Sequence, residues 1–342
     1  MFGRTEFDAF PLLADDLSRV ERALLLEVDG EASLTELVQH LFGGVPKLMR
    51  PSLTLMSAYA WADRLCPANQ RVIDAATALE LVHVGTMCHD DVMDEAEARR
   101  ARPSVNARWG NAMAVLTGDF LLASAAEIAA RLGAREAGII AATFRGLCTG
   151  QMIETRDLYK PSRTRESYLA AITGKTATLI SSACRMGALE AGASGVGVEH
   201  AGLFGLHFGI AFQINDDILD WTSSPEVLGK PAAKDAAEGV YTLPLLCAMD
   251  RCPELRALID SGRVVDGLPR IRDLLLISGG LAESARIAED HIRTAEQALT
   301  GATLAAGIVK GLLDFAYGML GAVETWGSSM AQPIGRRLRS LS

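Results

Sequence analysis

The pattern DDxxD occurs twice, as Asp90-Asp91-Val92-Met93-Asp94 and as Asp216-Asp217-Ile218-Leu219-Asp220. On a helix, residues i and i+4 share a face about 6 Å apart along the axis. Asp90 with Asp94, and Asp216 with Asp220, would each present paired carboxylates. Each copy ends an apolar stretch, ELVHVGTMCH and FGLHFGIAFQIN. A single copy would be read as an acidic turn or a helix cap. Two copies beside apolar walls are different, because clustered carboxylates repel one another unless a cation neutralises them. The calcium-loop pattern is missing its glycine and terminal glutamate. Oxygen ligands without cysteine or histidine suit Mg²⁺, which takes a few carboxylates, several waters and substrate phosphate oxygens. The expected chemistry is metal-assisted binding of a polyphosphate, and it requires basic groups nearby.

Those groups are present. Arg99 and Arg100 follow the first motif, and Lys230 and Lys234 follow the second. Lys47 and Arg50 lie in GGVPKLMRP, and Lys175 lies in GKTATLI. Each alone reads as a surface charge. Together they suit a diphosphate.

The elements that carry these residues are helices. Apolar residues recur at three- and four-residue spacing almost throughout, Ala and Leu dominate, and no alternating strand leads into a hairpin turn. Glycine and proline punctuation, including Gly174, divides the chain into about ten helical segments. No polar linker separates domains, so one helical domain over residues 1–342 is expected, with a motif-bearing core at about 40–250 and a basic tail at 333–342. Gly174-Lys175-Thr176 is not a phosphate loop, because Leu169 stands where its first glycine belongs. The glycines at 195 and 197 lack the strand that a dinucleotide fingerprint needs.

Composition narrows the function. The 342 residues are 49% hydrophobic and 22% charged, enough for a substantial core, with a net charge of −9. Acidity and only 6% aromatics disfavour nucleic-acid binding. Cys66, Cys88, Cys148, Cys184, Cys247 and Cys252 form no CxxC pair and read as reduced, mostly buried thiols. No signal peptide and no transmembrane span are expected, which points to the cytoplasm. The basic tail reads as solvated, with loose contact to an anionic membrane as the alternative.

The motif order resembles that of the trans-prenyl diphosphate synthases, or polyprenyl synthetases. It runs GGxxKxxRP, ELxHxxxxxHDDVMDxxxxRRxxPSVN, GDFLL, GKTA, FQIxDDILD, GKPxxxD, TLP, over about residues 40–247. The resemblance implies an all-α bundle around a deep central cavity. It implies Mg²⁺-dependent head-to-tail condensation of isopentenyl diphosphate with an allylic diphosphate, with three ions around the diphosphate, and a homodimer. It assigns Asp90, Asp94 and Asp216 to metal and makes Asp91, Asp217 and Asp220 supporting acids. Arg99, Lys175, Thr176, Gln213 and Lys230 match positions for the allylic diphosphate. Lys47, Arg50, His83 and Arg100 match those for isopentenyl diphosphate. One departure is Val240-Tyr241, where many relatives carry a lysine after the glycine.

Ahead of Asp90, the positions that resemble a chain-length floor hold Val82, Gly85 and Thr86. Bulky aromatics at 85 and 86 would stop elongation early. The small residues here favour a medium- or long-chain product, beyond the fifteen-carbon one, with a short-chain farnesyl or geranylgeranyl synthase as the alternative. Two rival readings are a class I terpene cyclase and a non-catalytic subunit of a heteromeric synthase. The two complete DDxxD motifs and the isopentenyl-side residues favour condensation over both.

Overall fold

The computed structural model describes residues 9–27, 36–37, 40–42, 48–99, 102–223, 233–302 and 304–321. The described chain is almost entirely helical. In order come α1 (Leu13–Leu26), α2 (Met49–Trp61), α3 (Gln70–Met93), β1 (Ala98–Arg99), β2 (Arg102–Pro103), α4 (Val105–Trp109), α5 (Asn111–Leu132), α6 (Ala134–Arg156) and α7 (Arg165–Ile172). A π-helical turn (Thr173–Ala177) joins α7 to α8 (Thr178–Glu190). Then follow α9 (Gly195–Thr222), α10 (Lys234–Ala237), α11 (Leu243–Met249), α12 (Pro253–Asp260), α13 (Val264–Ser278), α14 (Gly280–Thr300) and α15 (Ala306–Gly318).

Two details differ from the expectation. The short antiparallel ribbon β1–β2 follows the first acidic motif, with Arg99 opposite Arg102. Two residues per strand are too few for alternation to register in sequence. Gly174 does not break a helix, because the backbone passes through it in the π-turn. The Thr173 carbonyl accepts from the Thr178 backbone N–H across the widened turn and also from the Thr178 hydroxyl at 2.8 Å.

The chain forms two compact units, each assembled from three stretches of sequence. Unit 1 comprises Met1–Arg145, Leu179–Gly205 and Ala298–Leu312. Unit 2 comprises Gly146–Thr178, Leu206–Gln297 and Leu313–Ser342.

In unit 1, α3 starts where the Asn69 side chain accepts from the Val72 N–H at 3.0 Å. It packs on α5 at a glycine pair. A Cβ on Gly85 would meet the Gly118 carbonyl oxygen at 3.0 Å, and one on Gly118 would meet the Gly85 carbonyl oxygen at 2.9 Å. α1 is tied down by buried Asp16, which accepts from Tyr59 hydroxyl (2.6 Å), the Ala68 N–H (2.7 Å) and Arg19 (2.8 Å). α5 is long and apolar enough to cross a membrane by length and composition alone. It nevertheless carries Asp119 and Glu127, and buries Thr117, Leu121, Ala125 and Ile128.

In unit 2, Thr164 caps α7 by accepting from the Ser167 N–H. Phe208 and Trp221 of α9 and Phe315 of α15 are fully buried. Here too the helix approach is glycine-made. A Cβ on Gly150 of α6 would fall 2.3 Å from the Lys175 backbone nitrogen. One on Gly174 would fall 2.7 Å from the Gly146 carbonyl oxygen. All six cysteines are free. Cys88, Cys184 and Cys247 are buried, whereas Cys66 and Cys148 are exposed, so half of the expected buried set is buried.

Candidate active site

The first acidic motif ends α3. Asp94 is the residue after its last turn, and its N–H donates to the Asp90 carbonyl at 2.8 Å. Asp90 is half-buried, Asp91 buried and Asp94 exposed. The outer two acids therefore sit one turn apart on the same side, as their spacing predicts. Asp91 faces inward. Its Oδ1 accepts from Arg99 Nε at 2.7 Å and Nη2 at 2.6 Å. Burial raises the Asp91 carboxyl above the usual carboxylate range, and the adjacent guanidinium opposes that rise. β1 holds Arg99 over this acid. A cavity of about 190 Å³ is lined there by Met87, Cys88, Asp91, Arg99, Arg102 and other residues.

The isopentenyl-side residues within the described chain are Arg50 on α2 and His83 on α3, both half-buried in unit 1. Thr86 hydroxyl donates to the His83 carbonyl at 3.0 Å. Lys47, Arg100, Lys230 and the basic tail lie outside the described residues.

The second motif lies inside α9, which continues to Thr222. Asp216 is exposed, while Asp217 and Asp220 are buried. Asp217 Oδ2 accepts from Tyr168 hydroxyl at 2.5 Å, and its Oδ1 accepts from Gln213 Nε2 at 3.0 Å. Gln213 Oε1 accepts in turn from Thr176 hydroxyl at 2.8 Å. Burial pushes the Asp217 carboxyl well up, and the two donors work against it. Lys175, on the π-turn, donates to Glu154 of α6 at 2.7 Å. Lys234, which follows the second motif, pairs with Glu238 at 3.3 Å.

The structure thus brings together Lys175, Thr176, Gln213 and Asp217 in unit 2, and Asp91 and Arg99 in unit 1. Sequence reasoning missed Glu154 and Tyr168. Glu154 stands 21 residues before Lys175, so no helical spacing links them; only the glycine crossing brings them together.

Among the described residues, no three acidic, histidine or cysteine side chains converge into a protein cage. The donors fit magnesium in its other mode, in which exposed carboxylates such as Asp94 and Asp216 leave coordination positions to water and phosphate.

Comparison with known proteins agrees with this chemistry. The polyprenyl synthetase family matches residues 31–262. The chain is 38% identical over 291 residues to the nonaprenyl diphosphate synthase of Mycobacterium tuberculosis, covering 83% of this chain and 85% of that one. It is 40% identical over 242 residues to heptaprenyl diphosphate synthase component 2 of Geobacillus stearothermophilus, covering 70% and 74%. Among solved structures, it resembles the Caulobacter crescentus polyprenyl synthase complexed with calcium and isoprenyl diphosphate. That match has a TM-score of 0.81 and 31% identity, and covers 90% of this chain and 96% of that one. The fold is the all-α isoprenoid synthase type, and the chain belongs to the polyprenyl synthetase family.

Proposed function

We propose that this protein condenses isopentenyl diphosphate head-to-tail with an allylic diphosphate to give an all-trans polyprenyl diphosphate longer than fifteen carbons. The observation that carries the reading is the hydrogen-bonded run Thr176–Gln213–Asp217, which joins the GKTA segment to the second acidic motif. It supports reading Lys175 as a diphosphate-binding cation beside acids of the right type for metal. The long-chain products named for the relatives support the product class.

Asp90, Asp94 and Asp216 would hold magnesium, three ions in all with the diphosphate. When bound, the ions stabilise negative charge on a departing diphosphate. Lys175 and Arg99 would grip the same group, together with Thr176, Gln213 and Lys230. Glu154 need not leave Lys175 for this, because an ammonium has three donors; likewise Asp91 uses only part of the Arg99 fork. Lys47, Arg50, His83 and Arg100 would hold the isopentenyl diphosphate so that its double bond faces the allylic carbon. The carbon–oxygen bond breaks, the carbon–carbon bond forms, and a proton leaves to an oxygen of the released diphosphate. The apolar wall excludes water from the cationic carbon.

A homodimer is the assembly we favour. Met113, Leu116 and Phe120 of α5 are exposed apolar residues at helical spacing, suited to a second copy of the chain. A heteromer is the second reading, because one relative is named as a component. We place the enzyme in the cytoplasm, with loose membrane association when the product is long.

The test is Mg²⁺-dependent incorporation of radiolabelled isopentenyl diphosphate onto allylic primers, with product length read by chromatography. Incorporation by the purified chain alone, into products beyond fifteen carbons, is expected. A fifteen-carbon product would overturn the length assignment. No incorporation would overturn the catalytic reading. Activity only with a second subunit would overturn the homodimer.

A further inference from the structure

The second acidic motif is fixed by a residue outside every motif described so far. Tyr168 of α7 is 1% exposed, and its only hydroxyl proton goes to Asp217 Oδ2 at 2.5 Å. Asp217 is 3% exposed, and its other oxygen is taken by Gln213. The Gln213 amide has one self-consistent orientation. Its oxygen accepts from Thr176, so its nitrogen must face Asp217; a flipped amide would set oxygen against carboxylate. Four side chains therefore form one directed chain, from Thr176 to Gln213 to Asp217, closed from the far side by Tyr168. The guanidinium carbon of Arg163 lies 5.5 Å from the centre of the Tyr168 ring and adds a contact on its face.

Both Asp217 oxygens are committed to protein donors, whereas neighbouring Asp216 is exposed. Asp217 is thus suited to hold α9 in rotation, not to meet a ligand. The other end of the chain is the π-turn that carries Lys175, which α6 clamps at backbone distance through Gly150.

We propose that Tyr168 is a positioning residue for the condensation. Through Asp217 it fixes the rotation of the acidic segment of α9 against the Lys175–Thr176 turn, and so the spacing between the acids and the cations that grip the leaving diphosphate. The inference rests on the reading that Asp216 and Lys175 serve that diphosphate. Outer partners of metal-binding groups act in this way, and their loss costs about 10–100-fold in metal affinity or activity.

Tyr168→Phe keeps the ring and removes only the donor. We expect kcat to fall about tenfold and the half-saturating Mg²⁺ concentration to rise several-fold. The KM for isopentenyl diphosphate stays where it was. Adding Tyr168→Phe to Asp217→Ala should cost nothing beyond Asp217→Ala alone, because that variant has already removed the acceptor of the Tyr168 hydroxyl. A purely structural tyrosine would lower Tm and leave kcat and the Mg²⁺ response unchanged below it; that result overturns the proposal, as do multiplicative losses in the double variant. If Tyr168→Phe does not fold, Asp217→Ala is read alone, and an unchanged Mg²⁺ response there overturns it. Wild-type enzyme that makes no product overturns the functional reading and this proposal together. Active wild type with silent variants overturns this proposal only.

Discussion

The two copies of DDxxD are the same five-residue pattern in two environments. In both, the middle acid is buried and held by the protein. Asp91 is held by a charged partner, Arg99, whose side chain is 37% exposed. Asp217 is held by two neutral donors, one of them fully buried. The third acid differs as well. α3 stops at Met93 and leaves Asp94 exposed, whereas α9 runs on to Thr222 and buries Asp220. A charged partner lets one pair serve two purposes under the proposed function, neutralising a buried acid and aiming a partly exposed cation at substrate. Neutral partners give a lock that salt screens less and that substrate has no charge to compete for. The repeated pattern therefore specifies a leading acid outside the buried core at each site, and the surroundings decide what the other two do.

The largest expected effects test what the copies share. Asp90→Ala and Asp216→Ala should each cut turnover by at least about 100-fold, the upper end of the losses seen around metal sites. Far-ultraviolet circular dichroism should remain that of a helical protein, since both acids are outside the buried core. If either variant keeps more than a tenth of wild-type incorporation, that motif's metal role fails and the two copies are not functional equivalents.

The next effect tests the charged partner. Arg99→Gln leaves Asp91 as a buried carboxylate without its counter-charge, and should cost about 1–3 kcal/mol of stability. The larger figure for breaking a fully buried pair does not apply, because Arg99 is partly hydrated. Asp91→Asn leaves only a guanidinium that water can reach, and should cost less than about 1 kcal/mol. Urea unfolding of the two variants measures the difference. Equal losses, or the reverse order, would mean that the pair does not hold the first motif as described.

Much of this was legible in sequence. Helical periodicity gave the fold class, and the i, i+4 spacing placed Asp90 and Asp94 one turn apart. What sequence does not carry is what lies across a helix interface. Gly85 reads as an open position in a chain-length wall, yet a Cβ there would meet Gly118, Leu122 and Leu121 of α5 at 3.0, 3.2 and 3.3 Å. Packing against α5 limits the size of a side chain there whatever the product. Gly174 reads as a helix break for the same reason: a glycine needed for close approach looks in sequence like one needed for a turn. The two wall positions should accordingly separate. Thr86→Phe should shorten the product by at least one five-carbon unit with little change in Tm. Gly85→Phe should instead lower Tm, because the ring must displace α5. Chromatography of the products beside thermal melts would show it, and a Thr86→Phe enzyme with unchanged product length removes that residue from the wall.

The smallest effects compare the glycine crossings that support the two regions. Gly85→Ala places a methyl 3.0 Å from the Gly118 carbonyl oxygen and 3.2 Å from Leu122 Cγ, so the neighbours must yield by a few tenths of an ångström. Overpacking of this kind costs about 1 kcal/mol at its lower end, and alanine in place of glycine inside a helix returns about as much. The net change should lie within about 0.5 kcal/mol of zero. Gly150→Ala is worse placed. Its methyl would stand 2.3 Å from the Lys175 backbone nitrogen and 2.6 Å from the Ala171 carbonyl oxygen, and neither can rotate away. The cost moves toward about 3 kcal/mol and exceeds the helix gain. Any relief requires the π-turn to shift, taking Lys175 away from Glu154, so Gly150→Ala should also raise the KM for the allylic substrate. Gly85→Ala, distant in sequence from every proposed cation of unit 2, should leave that KM unchanged. Equal stability losses from the two alanines would show that the second region is no more tightly built than the first.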